Sequence, residues 1–166
     1  LWRMNPRQLR FEEIRDSLLV VSGRLDSKVG GRPMDSEADE TRRSAFLFVD
    51  RYELPDMFQT FDFANPDFST AERESSIVAP QALFFMNSPW VKARAEDIGV
   101  QLQESEGAAE GKVVFAFETV LGRKPNQEEK SAALVYLKNF PPGQDSVKWN
   151  QFSQALIQSN EFVFIR

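Results

Sequence analysis

The amino-acid sequence predicts a mainly α-helical, compact bundle of about five or six helices, with long ordered loops and room for one short strand or hairpin. Several stretches repeat apolar residues at alternating spacings of three and four, which is the period of one helix face. Most of these stretches end at Gly or Pro, the residues that stop helices. Between residues 23 and 78 the period is lost and phenylalanines crowd together, as in loops that must be pinned to a core.

Not one histidine or cysteine occurs among the 166 residues. No imidazole is therefore available as a general base or metal ligand near neutral pH, and no thiolate as a nucleophile. Serine triads lack their histidine, and thiol proteases lack both members. A glycosidase-type carboxylate pair needs only two acids at the right separation, so composition leaves that chemistry open, but no pattern selects a pair.

The length and a 42% hydrophobic share predict one domain spanning residues 1–166. A chain of this size buries roughly 70% of its unfolded surface, so neither a disulfide nor a metal is needed to hold a core. The chain starts at Leu1, and residues 1–5 resemble neither a secretion signal nor a membrane span, which predicts a piece of a longer polypeptide. The longest apolar runs, such as residues 82–86, fall far short of the ~20 residues a bilayer crossing needs. Neither membrane insertion nor nucleic-acid binding is expected, since residues 31–76 carry 11 acidic and 5 basic side chains, the wrong sign for displacing counterions.

The first helix is expected over Pro6–Ser22. Asn5 can cap it, Pro6 suits the first helical position, and Phe11, Ile14, Leu18 and Val21 form one stripe before Ser22-Gly23 stops it. Glu12 and Asp16, four residues apart, read as a solvated or arginine-paired helix edge. Residues 23–41 read as loop. Ala45-Phe46-Leu47-Phe48-Val49 reads as a brief strand or extended strap. Residues 54–69 read as a long loop pinned by Phe58, Phe61, Phe63 and Phe68. Asp62, Asn65 and Asp67 offer oxygens in that loop, but their spacing matches no EF-hand.

From Pro80 onward helices alternate with stops. Residues 82–86 are apolar all round, the pattern of a fully buried helix. Val91, Ala95, Ile98 and Leu102 mark the next helix. Val113, Val114, Phe117, Val120 and Leu121 mark another, stopped by Gly122 and Pro125. Asn126 and Glu129 have capping-box spacing ahead of Leu134 and Leu137. Pro141-Pro142-Gly143 breaks that helix, and Asp145 or Ser146 opens a last one with Trp149, Phe152, Leu156 and Ile157 facing inward.

Six strings stand in order along the chain: FEEIRDSLLVVSGRLD with GG shortly after, RRSAFLFVDR, LP followed by FDFANPD, PQALFFMNSPWV, LGRKPNQEE and ALIQSNEFVF. Together they resemble the planctomycete-specific PSD-type C-terminal domain of unknown function, found in large secreted proteins that often carry cytochrome c-like domains. The resemblance implies an exported C-terminal helical module, and it carries no assigned activity. No cofactor is expected in this stretch, because a c-type heme site needs cysteines and a histidine.

The strings single out Arg15, Asp16, Arg24, Asp26, Arg43, Arg51, Asp62, Arg73, Gln81, Asn87 and Arg123. Planar guanidinium groups fork onto carboxylates, so one reading has these side chains fastening loops across a helical core. The other has Arg43, Arg51 and Arg73 converging as an anion pocket for sulfate, uronate or a carboxylate-bearing partner. Two functions follow: a non-catalytic module docking onto upstream domains of its parent or an extracellular protein partner, or an accessory domain binding or processing acidic or sulfated glycans.

Overall fold

The computed structural model describes residues 5–34, 41–50, 52–54, 56–67, 69, 71, 73, 76 and 79–165. Arg7 and Gln8 (β1) pair antiparallel with Ile165 and Phe164 (β2, Phe164–Ile165), and Leu9 continues the ribbon by donating its N–H to the Val163 carbonyl at 2.8 Å. Because residues 7–8 are extended, the first helix, α1 (Phe11–Val21), begins five residues later than Pro6. Its entry is closed by Glu13, whose side chain takes the Arg10 backbone N–H at 2.7 Å. Of the expected apolar stripe Phe11, Ile14 and Leu18 are buried and Val21 is half-buried, with Leu19 and Arg15 buried beside them. Gly23 ends the helix at φ +70, a conformation glycine adopts without strain.

The strap after residue 43 is a single 3-10 turn, Ser44–Phe46, followed by Leu47, which forms an isolated parallel bridge with Met34. In place of an uninterrupted loop, residues 54–69 contain a short helix, α2 (Asp56–Thr60). Phe58 and Phe61 are buried as pins. The rings of Phe11 and Phe58 lie 4.3 Å apart, and Phe63 stands edge-on to Phe58 at 4.7 Å. Phe68 lies outside the described residues.

Four longer helices and two shorter ones complete the chain. These are α3 (Ala79–Asn87), α4 (Pro89–Glu104), α5 (Ala109–Leu121), α6 (Gln127–Lys138), α7 (Asp145–Ile157) and α8 (Asn160–Val163). The helical bundle is thus the predicted class, with six helices of nine residues or more among the described residues and the small ribbon tying its ends together. Helix α3 departs from expectation: only Gln81 and Phe85 are buried, while Leu83 and Met86 are each 52% exposed. An apolar composition all round does not bury a helix that has neighbours on one side only.

The core is one contiguous cluster drawn from all the longer helices. Val91, Ala95, Ile98 and Leu102 of α4 are buried, as are Trp149, Phe152, Leu156 and Ile157 of α7. On α5 the buried face is Val113, Ala116, Phe117 and Val120, with Val114 and Leu121 only half-buried. Gly122 stops α5 at φ +68. Asn126 caps α6 by accepting the Glu129 N–H at 2.8 Å, and Glu129 returns the bond to the Asn126 N–H at 2.7 Å. Among the described residues no helix is long and apolar enough to cross a membrane.

Candidate functional site

The residues singled out by the sequence fall into three clamps and a few isolated contacts. The first clamp lies along α1. Arg15 is 3% exposed and donates to the Arg42 carbonyl at 2.8 Å, with its guanidinium 5.8 Å from the centre of the Trp90 ring. Asp16, one residue on, accepts the Ser44 N–H and hydroxyl, both at 2.7 Å. Arg43 approaches the same carboxylate with Nε at 3.4 Å. Adjacent side chains on α1 thus pin the Arg42–Ser44 segment from both flanks, with charge-assisted bonds where the backbone has no ladder of its own.

Arg73 extends this clamp. Its Nη1 donates to both Glu12 oxygens, at 2.7 and 3.0 Å, while the guanidinium covers the Phe63 ring at 4.8 Å. Charge pairing and stacking on an aromatic face act together here. Asp62, the one non-glycine residue with positive φ among those described, accepts the Ser76 N–H at 2.6 Å and the Ser76 hydroxyl at 2.7 Å. Gln81 is 6% exposed and joins three segments: it donates to the Thr60 and Ser76 carbonyls at 3.2 and 3.1 Å and accepts from Gln8 at 2.9 Å.

The second clamp couples the end of α1 to α4. Arg24 pairs with Asp97, which also faces Arg94 Nε at 3.1 Å. Arg94 is 5% exposed, and its guanidinium lies 5.6 Å from the centre of the same Trp90 ring that Arg15 approaches. The third clamp is Arg123 in the α5–α6 turn. Its guanidinium forks onto Glu161 of α8 at 2.6 and 2.7 Å and onto Glu129 of α6 at 2.8 and 2.6 Å. Those hydrogen bonds push Glu129 down to about 2 from its ordinary 4.5, and they hold Arg123 above the usual guanidinium range.

The remaining candidates stay apart. Asp26 accepts the Lys28 N–H at 2.9 Å and its own N–H reaches the Thr41 carbonyl at 2.8 Å, which closes the loop between them. Asn87 is exposed at the end of α3. Arg51 lies outside the described residues. Among the described residues no group of three or more acids gathers in a form that could hold a metal ion.

Sequence reasoning missed several partners: Glu12 for Arg73, Asp97 and Arg94 around Trp90, Glu161 for Arg123, and Arg42, whose guanidinium covers Phe46 at 4.5 Å. Only the Trp90-Arg94-Asp97 spacing of four and three carried a signal, since it places all three on one helix face. Glu12 and Arg73 are 61 residues apart and Arg123 and Glu161 are 38 apart, so no local pattern marks those pairs.

Beside the first clamp an open groove of about 1180 Å³ runs along the outer face of α1. Its lining is largely apolar, with Leu9, Val21, Leu121 and Phe162 alongside the exposed Val20 and Val29. Glu12, Asp16, Arg43 and Arg73 also line it, so the clamp and the groove share residues. The fold and this site define a helical module laced by arginine–carboxylate clamps around an open apolar groove. The chain belongs to the family described as "Protein of unknown function (DUF1553)", PSD1, whose model matches residues 1–137. That match stops within α6, so the last of the six strings, in α7, α8 and β2, lies beyond it. No curated protein and no solved structure matches the chain.

Proposed function

We propose that this chain is a non-catalytic docking module of a secreted multidomain protein, seating other domains of its parent, or an extracellular protein partner, in the groove beside α1. The observation that supports this reading is the apolar lining of that groove, including the exposed Val20 and Val29, beside carboxylates that already have partners within the chain. A surface of this kind gains most by excluding water from apolar area. Leu9, where the terminal ribbon continues, and Ile165, in β2, add apolar lining to the same groove. Export is part of this proposal and is supported by the family resemblance alone.

Gel filtration and titration calorimetry of the chain against the other domains of its parent test the reading. Association is expected for the wild type and its loss for Val20→Glu, a position exposed enough to leave the fold intact. Absence of association, or undiminished association in the variant, overturns it.

The reading as a binder of acidic or sulfated glycans draws on Arg43 and Arg73 lining the same groove. A thermal shift with sulfated oligosaccharides that disappears in Arg43→Ala supports it, and a shift unchanged in that variant counts against it.

A further inference from the structure

We propose that the occupant of the groove is an apolar peptide segment bearing a carboxylate, held by Arg10 and Arg43; this rests on the docking reading and names the chemistry of the partner. The charged residues along the groove differ in how fully they are partnered. Glu13 is held by the fork of Arg7, with both bonds at 2.9 Å, and Glu12 by Arg73. Asp16 is satisfied by the Ser44 N–H and hydroxyl. Glu161 is held by Arg123. Each of these carboxylates therefore already accepts strong hydrogen bonds, and an incoming cation meets no acid in need of a partner.

The cations along the groove are less evenly served. Arg10 lines the groove, and among the described residues its guanidinium makes no hydrogen-bonded ion pair, its charge reaching Glu13 only through space while Glu13 accepts its backbone N–H. Arg43 meets Asp16 only through Nε at 3.4 Å, with its side chain 62% exposed, and that carboxylate does not depend on it. Two guanidinium groups, each with donors to spare, thus share the groove with apolar lining residues such as Val20, Val21 and Leu121. A carboxylate gains charge-assisted bonds there, and the apolar lining accepts apolar side chains.

The test is to select a random-peptide display library on the 166-residue chain and to measure binding of the enriched peptides by fluorescence anisotropy. Enriched peptides are expected to combine aliphatic or aromatic residues with Asp or Glu. Arg10→Glu and Arg43→Glu should each weaken binding about tenfold or more, and Arg10→Lys, which keeps the charge, should retain most of it. Circular dichroism confirms the fold of each variant. Enrichment of basic or uncharged peptides, or indifference to both charge reversals, overturns this inference while leaving docking in place. Peptides that bind Val20→Glu undiminished overturn the docking reading and this one together. Sulfated oligosaccharides bound through the same two arginines, with no peptide enriched, overturn it in favour of glycan recognition.

Discussion

Asn150 of α7 stands against Gly99 of α4 so closely that a β-carbon at position 99 would lie 2.0 Å from its side-chain oxygen and 3.0 Å from its backbone nitrogen. The two helices approach here because one of them has no side chain. Moving the oxygen would not be enough, since the backbone nitrogen is also at the limit of contact.

Helix propensity alone makes Gly99→Ala stabilising by about 1 kcal/mol. The clash reverses the sign, and overpacking should make the variant less stable by about 1–3 kcal/mol. Gly111 of α5 is the control: nothing lies within 4 Å of a β-carbon there, so Gly111→Ala should stabilise by about 0.5–1 kcal/mol. Urea unfolding of both variants decides it, and equal effects of the same sign would refute the close approach.

The Arg123 clamp should leave a signature in acid. Glu129 titrates in the folded chain at about 2, below its ordinary 4.5, so its contribution to stability is complete above about 4.5 and is lost as pH falls through about 2. Wild type should lose stability across that window more steeply than Glu129→Gln, because Glu13, lowered chiefly by its hydrogen bonds to Arg7, titrates in both proteins. Thermal melts from pH 6 downward, with parallel curves for the two proteins, would rule the clamp out as the cause.

Arg73 and Glu12 are about a third exposed, so their pairing is screened by solvent. Adding the stack on Phe63, Arg73→Ala should cost about 1 kcal/mol, and a double-mutant cycle with Glu12→Ala should show positive coupling. Additive single effects would show that the contact contributes nothing. Arg73→Lys should recover little, because a point charge lacks the planar face that covers the ring.

Phe58 and Leu83 make opposite predictions from similar hydrophobicity. Truncating Phe58, 3% exposed against Phe11 and Phe63, should cost about 3–5 kcal/mol. Leu83→Gln, at a position 52% exposed, should stay within about 0.5 kcal/mol. Chemical denaturation measures both, and a large loss at Leu83 would restore the buried-helix expectation for α3.

Much of the architecture was legible because its causes are local. The stripe of α4, the cap at Asn126 and Glu129, and the inward face of α7 follow from residues within a few turns of one another. The start of α1 was not legible: Asn5 and Pro6 have good capping chemistry, yet the segment is claimed by strand partners at Phe164 and Ile165, at the far end of the chain. Gly111 and Gly99 look alike in sequence, both lying within helical stretches, and only their neighbours distinguish them.

The candidate site divides in the same way. The sequence singled out Arg15, Asp16, Arg73 and Arg123 as residues suited to fastening loops through arginine and carboxylate side chains, but it could not name Ser44, Glu12 or Glu161 as what they hold. By itself, then, the sequence determined the helical class, most helix ends, the buried stripes and the absence of imidazole and thiolate chemistry. Each of these depends on residue type or on periodicity along one segment. Tertiary structure decided which carboxylate each arginine meets, which face of α3 stays exposed and where the groove opens, because those depend on which distant segments share the same space.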